Sequence, residues 1–293
     1  MQPTSSKQQS PYASPVGSSN GALARAPAQA LRASDQASLP SFDFPTAPVE
    51  ARQHVASGTG LYTTLGYILL VIGTLATALV SAGISLVVFA IGAIVAWFQS
   101  RRIRALIRGS GVQVSPAQLP ELYSLVESFS RRLGMAHPPE VYIVEENVQN
   151  GFAVKLGKKD LILLTDDMVW GALASRDPRA LGFIVGHELA HVALGHTGSI
   201  RSGIRTMFRP LARADELSSD NVATQLVGDP QIAIHGLTLL TVGPQLLMYI
   251  NDEALLQQAR EVCADSLSKK AERNLTHPLL LRRIGNLMRD GNR

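Results

Sequence analysis

Two histidines and a glutamate lie within five residues of one another, in the segment HELAH at positions 187–191. On an α-helix, residues four apart share one face, so His187 and His191 would present two imidazoles to one metal ion. Glu188 lies beside them and is placed to take a proton from a metal-bound water. This HExxH pattern is typical of zinc peptidases, in which zinc lowers the pKa of its bound water to about 7. We therefore expect one zinc ion per chain, with Glu188 as the general base.

The residues that flank this motif are apolar, which argues against a chance HExxH on an exposed helix. The stretch LGFIVGHELAHVALGH, residues 181–196, reads as part of one apolar helix. Two imidazoles and a carboxylate in such a setting are costly to bury unless they have a partner. A bound metal ion would be that partner.

A catalytic zinc site needs a third protein ligand, and two later segments offer one. Glu216 is followed by Asp220 four residues on, and Glu261 is followed by Asp265 at the same spacing. In either pair the glutamate could bind zinc while the aspartate accepts the Nδ1–H of a ligating histidine. Spacing alone does not separate the two pairs. His196 is one residue short of the third histidine of a metzincin, so we expect it at the helix end or behind a ligand.

An apolar stretch without a charged side chain, residues 61–98, precedes this chemistry. One membrane-spanning helix needs about 20 residues. We therefore expect two spans, near 61–80 and 84–99, joined at Ser81-Ala82-Gly83 as a helical hairpin. Gly66, Gly73 and Gly92 would let the two helices pack closely.

Basic residues are distributed unequally around this hairpin. Arg101, Arg102, Arg104 and Arg108 follow it, whereas only Arg52 lies close before it. By the positive-inside rule, the downstream domain faces the cytoplasm, and an even number of spans places the N-terminal segment there too. This predicts a multi-pass protein of the cell (inner) membrane, with the lipid bilayer as one of its partners.

The rest of the chain divides by composition into a tail and a catalytic domain. Residues 1–57 are rich in Ser, Ala, Pro and Gln and lack apolar periodicity, so we expect a disordered tail. The hairpin and its basic flank occupy 58–108, and a zinc metallopeptidase domain occupies 109–293. In that domain helical periodicity at 120–133 and short β-branched runs at 140–145, 150–154 and 160–165 predict an α+β fold, mainly helical with a small antiparallel sheet. The apolar run 232–250, which contains His235 and Pro244, is expected inside this domain rather than as a third span.

Composition excludes several other classes of protein. The net charge is only +4, and the basic residues are not interleaved with aromatic ones, so we expect no nucleic-acid partner. Cys263 is the single cysteine, which excludes an intrachain disulfide framework and a cysteine-rich zinc knuckle.

Three blocks, HELAHVALGHT, RADELSSD and THPLLLRRI, resemble the HtpX-like and CAAX-prenyl-protease-type membrane metalloendopeptidases, which are gluzincins. The resemblance covers roughly residues 115–290, and the blocks keep the order of the family. It places the third zinc ligand at Glu216, with Asp220 behind a ligand. It also implies an endopeptidase acting on proteins or peptides, with a role in membrane-protein quality control. Two expected spans, instead of a large helical barrel, count against the CAAX-type variant.

Two further blocks carry implied roles from the same resemblance. Asn150, Gly151, Phe152 and Ala153 are similar to the NAFA segment of the family, which implies an edge strand that holds a substrate backbone by β-augmentation. Gly151 stands where the family has the first alanine of NAFA, so the resemblance does not define a side-chain pocket for the substrate at this position. His277 and Arg283 resemble the C-terminal HP…R block, and a histidine or arginine beside zinc could stabilise the oxyanion of the tetrahedral intermediate. The alternative for the whole chain is a membrane scaffold without catalytic activity. In that case a fourth protein ligand would complete the zinc site, and zinc would stabilise the fold.

Overall fold

The computed structural model describes residues 38–145 and 151–290. Over these residues the chain is mainly helical, with one small sheet, so the predicted α+β class is confirmed. Residues 1–37 of the predicted tail, and Asn150, lie outside the described residues. The elements in chain order are α1 (Thr59–Val80), α2 (Ile84–Ser110), β1 (Val112–Gln113), α3 (Pro120–Arg132), β2 (Glu140–Val144), β3 (Gly151–Leu156), β4 (Lys159–Thr165), α4 (Asp166–Ala174), α5 (Ala180–Ala193), α6 (Ser199–Met207), α7 (Arg209–Val227), α8 (Pro230–Val242), α9 (Pro244–Leu247), α10 (Asp252–Ala264), α11 (Ser266–Ala271) and α12 (Leu280–Asp290).

Helices α1 and α2 form the hairpin that the apolar stretch predicts. Both are long and apolar enough to cross a membrane, and almost none of their apolar length is buried against the rest of the chain. At 22 and 27 residues they span about 33 Å and 40 Å, against a hydrocarbon core of about 30 Å. The chain reverses at Ser81–Gly83, where Ala82 and Gly83 have positive φ angles of 49° and 86°. Exposed apolar helices of this length indicate association with a membrane.

The glycines of the hairpin do not have the role that we expected. A Cβ atom added at Gly73 or Gly92 would meet nothing within 4 Å, so neither glycine faces the other helix. Gly66 instead faces α6, where an added Cβ would lie 2.5 Å from Ile204 Cγ2. The close approach that Gly66 permits therefore joins α1 to the domain that follows the hairpin.

The four-stranded sheet has the order β1-β2-β4-β3 and is mixed. β3 and β4 are antiparallel and turn at Gly157, whereas β2 and β4 are parallel. We predicted a purely antiparallel sheet, and the parallel pair corrects this. Apolar periodicity reports burial but not strand direction, and the strongly buried run Leu161–Thr165 marks β4 as a central strand covered on both faces. β3 is left at the edge of the described sheet.

Residues 38–57 are ordered by packing, contrary to the expectation of disorder for the whole tail. Phe44 packs against the Phe129 ring at a centroid distance of 5.2 Å and fills the space above Gly182. The buried Arg132 donates to the carbonyl oxygens of Ala47 and Leu226, at 2.8 Å and 2.6 Å, and so ties this segment to α7. The composition of the tail does not show that its few apolar residues pack on the core and anchor this segment; they are Leu39, Phe42, Phe44, Val49 and Ala51.

The helix that carries HExxH lies at the centre of the core. Every residue from Ala180 to His191 in α5 is buried, among contacts with α3, α4, α7, α8 and the sheet. α7 packs closely on α5 at Gly186, where an added Cβ would lie 3.2 Å from Leu226 Cδ1. This central position makes α5 and α7 a rigid base for polar side chains.

The apolar run 232–250 lies within this domain. It forms α8 and the short α9, separated by Gly243 with φ of 78° and followed by residues 248–250. Ile232, Ile234 and Leu237 are buried in the core, and a helix of 13 residues is too short to span a membrane.

Candidate active site

Three potential metal-ligand atoms meet between α5 and α7. Nε2 of His187 lies 3.2 Å from Nε2 of His191, and each lies 3.4 Å from an oxygen of Glu216. Zinc bonds of about 2.0–2.1 Å in a tetrahedral site require donor separations of about 3.3–3.4 Å. All three residues are buried. The two 3.4 Å contacts are to different oxygens of Glu216, and one donor atom from each residue lies within 4.8 Å of the other two, so the donor types and their proximity suit a zinc ion.

The carboxylate of Asp220 lies behind His187 and selects the nitrogen of this ring that faces the cluster. Nδ1 of His187 lies 3.0 Å from Oδ1 of Asp220. Arg283 of α12 donates to both oxygens of the same carboxylate, from Nη2 at 2.6 Å and from Nε at 2.7 Å. In the neutral ring, with the proton on Nδ1 directed to Asp220, Nε2 of His187 has a lone pair for a metal ion, so metal binding would displace the second proton of the charged ring.

The chain at the end of α5 folds back so that His196 takes the corresponding place behind His191. Gly195 has φ of 73°, and the backbone N–H of His196 donates to the carbonyl of His191 at 2.8 Å, which forms a Schellman motif. Nδ1 of His196 then lies 3.0 Å from Nδ1 of His191, and its Nε2 lies 3.3 Å from Oδ1 of Asp215. A proton on Nδ1 of His191 and another on Nε2 of His196 satisfy both contacts. His196 thus lies at the end of α5 and behind His191.

Burial and neighbouring charges set the protonation of this cluster. Burial alone would lower the pKa of His187, but the hydrogen bonds and charges of Asp220 and Glu216 raise it to about 9. Burial lowers the pKa of His191 to about 3, which favours the neutral ring that binds metals. Burial opposes ionisation of Glu216, but the hydrogen bond and charge of His187 and the charge of Arg283 hold its pKa well below the ordinary value. An ionised Glu216 and a neutral His191 are the forms that bind a metal.

Glu188 lies beside the three donors with a pKa that suits proton transfer. Burial raises the pKa of this carboxyl to about 7, and the charge of Glu216 adds to the rise. His187, the backbone N–H of Ala153 and Arg283 oppose the rise but do not cancel it. A carboxyl with a pKa near the working pH can accept a proton and release it again.

One ionic group of the site was missed in the sequence. Asp215, which is fully buried, pairs with Arg201 and Arg205 of α6, and Arg205 also donates to Oε1 of Glu216 at 2.9 Å. Arg201 extends this contact to Oγ1 of Thr63 in α1, at 3.2 Å. The four-residue spacing of Arg201 and Arg205 was a visible signal for a basic face on α6. Nothing in the spacing indicated that this face meets Asp215.

The edge strand β3 forms one wall of a cleft of about 190 Å³ over these donors. Gly151, Phe152 and Ala153 line it opposite His187, Glu188 and Glu216. A Cβ added at Gly151 would lie 3.5 Å from Oε1 of Glu188, an ordinary van der Waals distance, so an alanine would fit there. The glycine therefore widens the cleft by one methyl group next to Glu188.

His277 and Arg283, from the C-terminal block, both reach this cleft. Nε2 of His277 lies 3.7 Å from Oε1 of Glu216, and about two-thirds of its side chain is exposed. Its Nδ1 lies 3.1 Å from Oγ1 of Thr276. His277 is therefore at the open rim of the cleft, whereas Arg283 is held inside by Asp220.

Other candidate residues lie elsewhere. Glu261 is exposed on α10 and accepts a hydrogen bond from Gln257 at 2.9 Å. Asp265 caps the N-terminus of α11 by accepting from the backbone of Leu267 and Ser268. His235 lies 3.4 Å from Asp252, away from the three donors. Among the described residues, His187, His191 and Glu216 form the group that could hold a metal ion.

Comparison with known protein families gives an independent finding. The family model described as peptidase family M48 matches residues 116–204, from the segment before α3 into α6. This range includes HExxH, whereas Glu216 and Asp220 lie beyond it. No curated protein and no solved structure shows significant similarity to the chain. The resemblance found in the sequence is confirmed, because residues 116–204 are similar to peptidase family M48.

Proposed function

We propose that this chain is a membrane-anchored, zinc-dependent endopeptidase that hydrolyses peptide bonds of proteins. One observation carries the proposal: one buried donor atom from each of His187, His191 and Glu216 lies within 4.8 Å of the other two, and Glu188 lies beside them. When bound there, zinc would supply a Lewis acid for the substrate carbonyl and would acidify a water.

The residues of the chain would then act as follows. Glu188 takes a proton from the water whose oxygen attacks the carbonyl carbon, and it passes this proton to the amide nitrogen as the carbon–nitrogen bond breaks. A pKa near 7 suits both halves of this transfer. His277, at the rim of the cleft and 3.7 Å from Glu216, would donate to the oxygen that gains negative charge. Asp220, with Arg283 behind it, and His196 hold the two ligand rings in place.

An extended substrate would pair with β3. The strand lies at the edge of the described sheet and follows the wall of the cleft at Phe152 and Ala153. Edge strands bind extended peptides through backbone hydrogen bonds, which suits cleavage within a chain of varied sequence. We extend this binding segment to Asn150, on the resemblance alone.

The hairpin would anchor the domain 109–293 to the cytoplasmic face of the inner membrane. The exposed apolar surfaces of α1 and α2 support the anchor, and the arginines after residue 100 support the orientation. Contact of Gly66 and Thr63 with α6 keeps the cleft close to the bilayer. A cleft in this position suits proteins in or near the membrane, which agrees with a role in membrane-protein quality control.

The test combines zinc content with casein cleavage for the full chain purified in detergent. Glu188→Gln should retain one zinc per chain and lose activity by about 10²–10⁴-fold, the usual contribution of a general acid–base. Glu216→Ala should lose zinc and activity together. Glu261→Ala is the matched control, because it removes an exposed glutamate from another helix, and it should retain both.

Three results would contradict the proposal. Normal cleavage by Glu188→Gln would show that Glu188 is not the general base. Loss of zinc in Glu261→Ala but not in Glu216→Ala would move the site to α10. Zinc that cannot be exchanged, in a wild-type protein that cuts no substrate, would favour a structural site in a silent scaffold.

A further inference from the structure

A second cleft lies at the end of the membrane hairpin, on the sheet side of the domain. It has a volume of about 550 Å³ and lies between the last turns of α2 and the β3–β4 turn. Its cations are Arg101, Arg104, Arg108, Lys158 and Lys159. We call it the basic groove. It shares no residue with the cleft above Glu188, which lies at the other end of β3.

The arginines of the groove share one face of α2. Positions 101, 104 and 108 recur at helical spacing, and Trp97 lies one turn earlier on the same face. The guanidinium of Arg101 stacks over the Trp97 ring at 4.9 Å from its centroid. Arg102 lies on another face and does not line the groove.

The positive charge of the groove is only partly compensated within the described residues. Glu140 accepts from Arg104 at 3.4 Å and also pairs with Lys159. Over the same part of the chain, no ion pair joins Arg101, Arg108 or Lys158 to a carboxylate. Nε of Arg104 is buried and makes no hydrogen bond to any described residue. An unpaired buried N–H is costly, so a ligand with an acceptor oxygen would relieve it.

The position of the basic groove along α2 indicates which kind of ligand would supply the acceptor oxygen. Residues 84–98 of α2 are uncharged and almost all apolar over about 22 Å of helix, and the first charge follows at Arg101. Tryptophan and arginine at the end of an apolar helix lie at the level of lipid headgroups. A groove that opens there would face phosphates of the bilayer.

We propose that the basic groove binds the phosphate of an anionic phospholipid headgroup. Arg101, Arg108 and Lys158 would neutralise the charge, and Nε of Arg104 would donate to a phosphate oxygen. The apolar part of the Trp97 ring would rest against the upper acyl chain. This binding does not depend on the peptidase chemistry.

The experiment titrates brominated phosphatidylglycerol or brominated phosphatidylcholine into the detergent-purified full chain. A Trp170→Phe background leaves Trp97 as the fluorescent reporter, because the chain has two tryptophans. We expect saturable quenching by phosphatidylglycerol and none of comparable affinity by phosphatidylcholine. Arg108→Gln with Lys158→Gln should weaken binding roughly 30-fold, from roughly fivefold for each basic residue near an anionic surface.

The matched control is Arg102→Gln with Lys270→Gln, which removes the same net charge outside the groove. It should bind phosphatidylglycerol as the parent does, and zinc content should be equal in all variants. If the control variant bound phosphatidylglycerol as weakly as the groove variant, the effect would depend on net charge alone, and the proposed binding site in the basic groove would be wrong. Equal affinity for phosphatidylcholine would overturn anionic recognition, and competition by inorganic phosphate at the affinity of the lipid would assign the groove to free phosphate.

Discussion

Replacing Asp220 by asparagine tests how the ligand rings are held. The carboxylate lies 3.0 Å from Nδ1 of His187, accepts from two nitrogens of Arg283 and is fully buried. In Asp220→Asn one oxygen becomes an N–H₂ donor, which cannot accept from both histidine and guanidinium. The positive charge of Arg283 then stays buried without the carboxylate to which it donates.

The expected loss of stability follows from this burial. Removing one partner of a buried ion pair costs about 3–5 kcal/mol. For a chain of this size, 1 kcal/mol corresponds to about 2–4 °C in Tm, so we expect a drop of roughly 6–20 °C. Burial alone would raise the pKa of Asp220, but the charge and hydrogen bonds of Arg283 and His187 hold it below its usual value. The stabilisation is therefore fully present above the ordinary carboxyl pKa and is lost as the pH falls through the lowered value, so an assay at pH 7 measures all of it.

Zinc affinity gives a second readout that a simple loss of stability would not produce. Loss of an outer partner of a ligating histidine usually weakens metal binding by about 10–100-fold. Competition with a chelator of known affinity measures this in the folded protein at low temperature.

The matched control is Asp252→Asn, which makes the same change in a surface pair. Asp252 pairs with Arg176 at 2.8 Å, but the two side chains are 34% and 43% exposed. Such a pair contributes about 0–1 kcal/mol, so Tm should fall by no more than about 4 °C and zinc affinity should not change. Equal Tm shifts in the two variants, or wild-type zinc affinity in Asp220→Asn, would refute the reasoning.

Three further predictions concern the backbone, the hairpin and the metal. Gly195→Ala should lower the free energy of unfolding by about 1–2 kcal/mol, because φ of 73° disfavours a residue with a Cβ. Gly203→Ala, in open space on α6, should be neutral or slightly stabilising. Thermal unfolding compares the two variants, and equal Tm shifts would contradict the role of Gly195 in the turn. Gly66→Ala should lower Tm because its Cβ would lie 2.5 Å from Ile204, while Gly73→Ala should not; a tolerated Gly66→Ala would mean that α1 and α6 are not in tight contact. Removing zinc with a chelator should abolish casein cleavage and lower Tm, and added zinc should restore both. The free energy of unfolding should fall by about 2.7 kcal/mol relative to protein with free zinc at 100 times its Kd. An unchanged Tm would argue against a metal held by three buried ligands.

The features that the sequence determined by itself are local ones. The four-residue spacing of His187 and His191 follows from helical pitch, and an apolar run of the right length and flanks predicts a membrane hairpin. The α+β class follows from runs of periodic residues, and the family match agrees with the blocks around HExxH. Each of these depends on neighbours within one or two turns of the chain.

The remaining features depend on contacts between distant segments, so only the tertiary structure decided them. Glu216 and Glu261 have identical local spacing to an aspartate, but only α7 packs across α5 close enough to bring its glutamate to the histidines. The parallel pairing of β2 with β4 and the order of residues 38–57 likewise come from partners far away in the chain. Asp215 gains its role from Arg201, Arg205 and His196, which converge only because Gly195 turns the chain back after α5. Local spacing sets which groups can act together, and the packing of helices determines which of them meet.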